Sequence, residues 1–353
     1  MTKRTTIRDI AREAGVSDTA VSLALQMKSR ISAGTRQRIL EIAKRLNYSP
    51  NRAARNLRYG KSRTIGFVVT DITNPFYARM IRSSEKIALD FGYNVLFGES
   101  SWDPDKEVQI VSNMIESRVQ GMLMCFCERT LDSLGLIQHA KLPLIAVDTH
   151  PSKYKGAYVA NDLAGAGYLA AQHLIDVGRR IPMFFTASAP LHRFSAFRLL
   201  RKGFSSCLKA NNVPFPDSAV IDANLTVVGG ARGFATLLST KQRFDSIFCP
   251  NDLCALGVID AAEQHGYRVG QDIAVIGIDN LEISGVSRIS LTSIDQPYDR
   301  VIELATRSLI ANIESAQPLT IRRKCRPSLI VRASTGLQQR CTAGDSSTQC
   351  TQC

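Results

Sequence analysis

The chain has 353 residues, 44% of them hydrophobic, which is too long for one small core and predicts two or three globular domains. No apolar run reaches the ~18 residues that a membrane span needs, and Met1-Thr2-Lys3-Arg4 leads into a polar helix rather than a secretion signal, so a cytosolic protein without membrane contact is expected. The net charge of +13 is unevenly placed: residues 1–63 hold fifteen Lys and Arg against four Asp and Glu, a balance of +11, and the remainder holds 29 against 27, a balance of +2.

A cationic head on a nearly neutral body is the electrostatic footprint of a nucleic-acid-binding module. Ile7, Ile10, Ala11 and Ala14 recur at i, i+3, i+4, i+7 and predict a first helix. Gly15 ends it, Val16 fills the corner, and Ser17 caps a second helix running to about Leu25, with Val21, Ala24 and Leu25 inward. A third helix is expected from about Gly34 to Leu46, with Ile39, Ile42, Ala43 and Leu46 inward. Three short helices of this kind make an all-α helix-turn-helix head. The second helix would enter a major groove by its N-terminal end, so Asp18, Thr19, Ser22 and Leu23 are the base-reading candidates. Asp18 can accept from a cytosine amino group and Leu23 can pack on a thymine methyl. An ordinary helical hairpin is the alternative, which the local charge disfavours.

Pro50 suits a helix start, and Asn51 to about Tyr59 reads as two helical turns. Arg52, Arg55 and Arg58 share one side, with Ala53, Ala54 and Leu57 on the other. So short a helix is unstable alone. It is expected to fold on DNA and set Leu57 as a wedge in the minor groove; a flexible basic linker is the alternative.

From Thr64 the periodicity changes. Strands are predicted at 64–70, 93–98, 121–126, 144–148, 157–160, 182–186, 246–249 and 274–279, and helices at 76–92, 105–118, 164–177, 197–211, 229–238 and 254–265. Alternation of this kind implies doubly wound parallel sheets, and the number of elements implies two similar subdomains.

The stretch Ile7-Arg8-Asp9-Ile10-Ala11-Arg12-Glu13-Ala14-Gly15-Val16-Ser17 followed by Thr19-Ala20-Val21-Ser22 resembles the head of the lactose-repressor (LacI/GalR) family. The resemblance continues through Leu46-Asn47-Tyr48-Ser49-Pro50-Asn51, Arg55-Asn56-Leu57-Arg58, Asp71-Ile72-Thr73-Asn74-Pro75-Phe76-Tyr77, Pro250-Asn251-Asp252, Val275-Ile276-Gly277-Ile278-Asp279-Asn280 and Pro327-Ser328-Leu329-Ile330-Val331-Arg332. It implies a helix-turn-helix domain at 1–49, a hinge helix and linker at 50–63, and an effector-binding, dimerising core at 64–336 built like a periplasmic sugar-binding protein. Subdomain one would hold about 64–162 and 293–322, and subdomain two about 163–292 and 323–336. Residues 337–353 are expected to be a disordered tail. By the same resemblance Asn51, Arg52, Ala54, Arg55 and Leu57 belong to the hinge and minor-groove contact, and many relatives carry Arg or His where Leu23 stands.

A ligand in such a core sits outside the carboxyl ends of the strands. Asp71, Asn74, Phe76, Tyr77, Asp148, Asn161, Asn251 and Asp279 occupy such places, and carboxylates and amides can each engage two hydroxyls. Asp252 is read as a helix N-cap instead. The family's Arg three residues before a Gly-aromatic pair is Leu200 here, before Gly203-Phe204, so Arg198 and Arg201 are the neighbours able to supply that contact.

No enzyme is expected, and no catalytic residue, metal or cofactor. Gly165, Gly167 and Ala170 echo a dinucleotide fingerprint but lack its acidic partner, so close helix packing is the reading. The five histidines have no metal-ligand spacing, Cys125 and Cys127 suit packing, and Cys350 and Cys353 stand in the polar tail without a second ligand pair. The expected partners are a near-palindromic double-stranded operator, a small effector of carbohydrate type and a second copy of the chain. A sugar-binding receptor or a sugar-modifying enzyme on the same core is the alternative.

Overall fold

Thr6 opens the first helix with a reciprocal cap: its hydroxyl accepts from Asp9 N at 3.4 Å, and its own N–H donates to Asp9 Oδ2 at 2.9 Å. The computed structural model describes residues 5–25, 31–48, 62–127, 132–149, 151, 154–315 and 318–336. The chain divides into two units, Met1–Ser62 and Arg63–Cys353.

In the first unit α1 (Ile7–Ala14), α2 (Asp18–Leu25) and α3 (Ala33–Arg45) enclose Ile10, Ala11, Ala14, Val21, Ala24, Ile39, Ile42 and Ala43. Gly15 closes α1 at φ 63, a conformation that costs a side-chain-bearing residue more. Ser17 Oγ accepts from Ala20 N at 3.2 Å, which caps α2. The expected hinge residues Asn51, Arg52, Ala54, Arg55 and Leu57 lie outside the described residues, as does the tail 337–353.

The second unit holds two six-stranded sheets. The first has the order β11-β5-β4-β3-β1-β2, from β1 (Thr64–Val69), β2 (Asn94–Glu99), β3 (Met122–Met124), β4 (Leu144–Asp148), β5 (Ala157–Asn161) and β11 (Arg322–Cys325). The second has the order β12-β10-β9-β8-β6-β7, from β6 (Pro182–Ala187), β7 (Val220–Ala223), β8 (Ser246–Phe248), β9 (Ala274–Ile278), β10 (Thr292–Asp295) and β12 (Ser328–Ile330). All pairings are parallel except β10 with β12, where Ser293 faces Ile330. β4 and β9 are buried along their whole length, as central strands covered on both faces must be.

Helices α4 (Pro75–Asp90), α5 (Pro104–Glu116), α6 (Asp132–His139) and α11 (Tyr298–Ser315) belong to the first lobe; α7 (Leu163–Asp176), α8 (Ser195–Ala210), α9 (Val227–Ser239) and α10 (Asp252–Gln264) belong to the second. Val301, Ile302, Ala305, Leu309 and Ile310 of α11 join Ile65, Phe67 and Val69 of β1 in one core. α7 and α8 approach so closely that a Cβ on Gly167 would collide with the Leu200 carbonyl, and one on Gly203 with the Ala164 carbonyl. Gly167 therefore serves helix packing.

The chain passes between the lobes three times. The second passage falls later than about residue 293, because β10 pairs with β9 through Thr292–Ile276 and Ile294–Ile278 and so stays in the second lobe. The third falls later than 322, because Arg322 to Cys325 pair with Tyr158 to Asn161 in the first. No helix among the described residues is long and apolar enough to cross a membrane.

Candidate functional site

In the first unit Asp18 and Thr19 are exposed, and Ser22 and Leu23 are half-buried, at the start and along the open side of α2. Asp18 Oδ2 lies 3.6 Å from Arg8 Nε, an exposed pair worth little in water and readily exchanged for other partners. Val21 and Ala24, at the intervening positions, point into the core and fix which face stays open.

The second unit has a cleft between its lobes, ≈ 510 Å³ including space open to solvent. Its first-lobe wall is made by Asp71, Asn74, Phe76, Tyr77, Trp102 and Asp148; its second-lobe wall by Leu163, Ala196, Phe197, Leu200, Leu225, Pro250, Asn251, Ile278 and Asp279; Gln296 lies at the second passage. The walls follow the carboxyl ends of β1, β2, β4, β7, β8, β9 and β10.

Asn74 caps α4, its Oδ1 accepting from Phe76 N at 3.0 Å, and Pro75 takes the first helical position. Its Nδ2 donates across the cleft to Asp279 Oδ2 at 3.0 Å, and Gln296 Nε2 donates to Asp279 Oδ1 at 2.7 Å. Both oxygens of Asp279 are thus held by amides. Burial, reinforced by the Asp252 carboxylate, still pushes its carboxyl well above the usual range. Arg79 donates to the carbonyls of Asp279 at 2.8 Å and Asn280 at 3.3 Å while lying 4.5 Å over the Tyr298 ring.

Asp148, at φ 67, accepts from Asn161 Nδ2 at 2.8 Å and lies 3.5 Å from the Tyr77 hydroxyl. Burial, then Asp148, raises the Tyr77 phenol well above its ordinary value, so Tyr77 remains a neutral donor. Asp279 sits at φ 112. Positive φ at two buried carboxylates is the kind of backbone strain that gathers at binding sites.

The opposite side of the cleft is aromatic. Trp102 of the first lobe packs on Phe194 and Phe197 of the second, with ring centroids 5.7 and 6.1 Å away. Cys127 Sγ donates to the Trp102 carbonyl at 3.0 Å, which ties that residue to the loop after β3.

Of the sequence-based candidates, Asp71, Asn74, Phe76, Tyr77, Asp148, Asn251 and Asp279 come together in this cleft. Asn161 and Arg198 line an adjoining pocket with Thr149, Ser195, Leu199, Lys202 and Lys324. Arg201 does not face either: its Nη2 donates to Asp217 Oδ1 at 2.5 Å at the surface. Leu200 already occupies the inward position, and the next residue of a helix turns about 100° away. Asp252 is not the cap of α10. Asn251 is, accepting from Cys254 N at 2.8 Å, while buried Asp252 holds Leu281 N, Ser284 and Ser293. Burial lifts the Asp252 carboxyl to about 6.

Sequence reasoning missed Trp102, Phe197 and Gln296. Trp102 stands just beyond the carboxyl end of β2, the signal used for the other candidates. Gln296 follows β10 in the same way. Among the described residues no three His, Cys, Asp or Glu side chains gather as a metal-ligand set.

The family described as bacterial regulatory proteins, lacI family, matches residues 6–51, and the periplasmic binding protein-like domain matches residues 171–335. The chain is 32% identical to catabolite control protein A of Priestia megaterium over 306 residues, 86% of this chain and 91% of that protein. It is 32% identical to the HTH-type transcriptional repressor PurR of Mannheimia succiniciproducens over 332 residues, 93% of this chain and 98% of that protein. The lac repressor dimer bound to operator and the anti-inducer ONPF superimposes with a TM-score of 0.83 at 25% identity, covering 94% of this chain and 99% of that one. With a helix-turn-helix unit, two parallel-sheet lobes and relatives matched over nearly their full length, the chain belongs to the lacI family of bacterial regulatory proteins and is a DNA-binding transcriptional regulator, not an enzyme.

Proposed function

We propose that this chain is a cytoplasmic repressor that binds a near-palindromic operator as a homodimer and whose grip on that operator is set by a small, hydroxyl-bearing ligand of carbohydrate type in the interlobe cleft. The observation that carries the reading is the bond between Asn74 and Asp279, made across the cleft by side chains that also line it. A ligand engaging Asp279 competes with that bond, so occupancy and lobe geometry are one equilibrium. Ligand and operator affinities are then coupled reciprocally.

Asp18, Thr19, Ser22 and Leu23 read bases from the exposed side of α2. Asn51, Arg52, Ala54, Arg55 and Leu57 form the hinge, with Leu57 opening the minor groove at the centre of the site. The dimer is supported by exposed apolar side chains on the core: Ile72, Leu96 and Phe97 in the first lobe, and Val227, Val228, Ile283 and Val286 in the second, are all at least 37% exposed. The relative solved with operator is a dimer.

The test is fluorescence anisotropy on duplexes enriched from random-sequence DNA. Wild type binds an enriched duplex at least about 1,000-fold more tightly than random competitor. A panel of sugars then shifts that affinity, and Asp279→Ala retains operator binding but loses the shift. No preference for any duplex refutes the regulator reading, and an unchanged response in Asp279→Ala removes that residue from the ligand site.

A further inference from the structure

We propose that the ligand of this cleft is a cationic amine on a hydroxylated ring, of the amino-sugar or imino-sugar type, and not a neutral or phosphorylated sugar; this rests on the cleft being the effector site. The cleft is short of donors. Among the described residues three carboxylates line it, from Asp71, Asp148 and Asp279, and no Lys or Arg side chain does. Asp148 is 6% and Asp279 4% exposed, so water solvates neither well.

The amides add acceptors rather than donors. Gln296 gives its Nε2 to Asp279 Oδ1. Its Oε1 is left buried without a partner, in a residue only 5% exposed that lines the cleft. Asn161, in the adjoining pocket that Arg198, Lys202 and Lys324 also line, has Nδ2 spent on Asp148 and Oδ1 buried without a partner. Asn74 has both ends engaged. Among the described residues that line the cleft, the unpartnered buried donor is the Trp102 indole N–H.

A protonated amine brings three N–H donors in an amino sugar, or two in an imino sugar, and no lone pair, which is the complement of such a wall. Its positive charge would also draw the buried Asp279 carboxyl, which burial holds well above the usual range, toward the ionised form. Phe76, Tyr77, Trp102 and Phe197 add aromatic rings to the cleft, and the face of an aromatic ring attracts cations. A phosphate would meet the reverse. Leu200 stands in the cleft, and Arg79, whose two Nη groups donate to backbone carbonyls and whose Nε is buried without a partner, does not line it. Arg198, Lys202 and Lys324 are exposed and line the adjoining pocket.

Isothermal titration calorimetry of the DNA-free protein at pH 7 tests this with matched rings. Glucosamine, galactosamine, mannosamine and deoxynojirimycin are compared with glucose, galactose and mannose and with their 6-phosphates. The best amine is expected to bind at least about tenfold more tightly than its neutral partner, as for one added hydrogen bond to a charged group. The 6-phosphates are expected to give no heat. Asp148→Asn and Asp279→Asn each remove the preference; if neither variant folds, the wild-type comparison decides. A neutral sugar binding as tightly as its amine overturns the cationic assignment yet leaves the effector cleft standing. A 6-phosphate binding more tightly than both overturns it too, as does silence from every amine, whereas the regulator reading fails only in the operator assay.

Discussion

Glu107 shows what one buried carboxyl does to this core. It is 2% exposed, accepts from Ser133 Oγ at 2.5 Å and from Cys127 N, and burial raises its carboxyl from 4.5 to about 7. The folded state therefore holds its proton more tightly than the unfolded chain. That contribution is complete below about pH 4.5 and is lost as pH rises through 7. The amplitude is about 3 kcal/mol. Glu107→Gln, which does not ionise, should gain stability relative to wild type by about that amount between pH 4.5 and 8. Urea unfolding at a series of pH values measures the difference, and a pH-independent difference would remove Glu107 from the account. At this same scale the cleft was half legible. Asp148 and Asp279 announced themselves by standing just past apolar strand sequences. Arg201 misled because charge alone carries no information about which side of a helix it occupies. Gln296 was hidden because its preceding strand, Thr292–Asp295, holds a single apolar residue, Ile294, and did not stand out.

Elements were readable where burial is two-sided. Ile65 to Val69, Leu144 to Val147 and Ala274 to Ile278 are continuous apolar runs because helices cover both faces of their sheets. β11 gave no such signal. It is an edge strand, and Arg322, Arg323 and Lys324 keep it solvated, a charge pattern that also blocks pairing with another chain. β7 and β12, four and three residues long, are too brief to show a period. Among helices the informative contact is between α7 and α8. Gly203→Ala sets a methyl against the Ala164 backbone, which no rotamer change can relieve. It should destabilise the protein by about 1–3 kcal/mol through overpacking. Chemical denaturation of the variant checks this, and wild-type stability would mean that the two helices part without cost.

For the molecule as a whole, the near-neutral core with exposed Phe97 and Val228 predicts concentration-dependent association. Phe97 is 50% exposed, so Phe97→Asp should leave the fold intact while shifting sedimentation from dimer to monomer. Losing the second head should then weaken operator binding about 100-fold or more. A variant that stays dimeric would move the interface elsewhere. The division into a cationic head and a two-lobed body was legible from charge and periodicity alone, because both are properties of long segments. Where the chain changes lobes was not, because the exact crossing is set by strand pairing that only the folded sheets reveal.

The threefold passage between lobes has a consequence for biosynthesis. The first lobe begins at Thr64, yet its outermost strand ends at Cys325, only a few residues before the second lobe's last strand. A nascent chain emerging from a ribosome cannot finish its earlier half until almost everything else has been translated. Until then the apolar bed awaiting Val301, Ile302, Leu309 and Ile310 is open to solvent, and a message truncated anywhere upstream of these codons leaves two unfinished lobes rather than one good one.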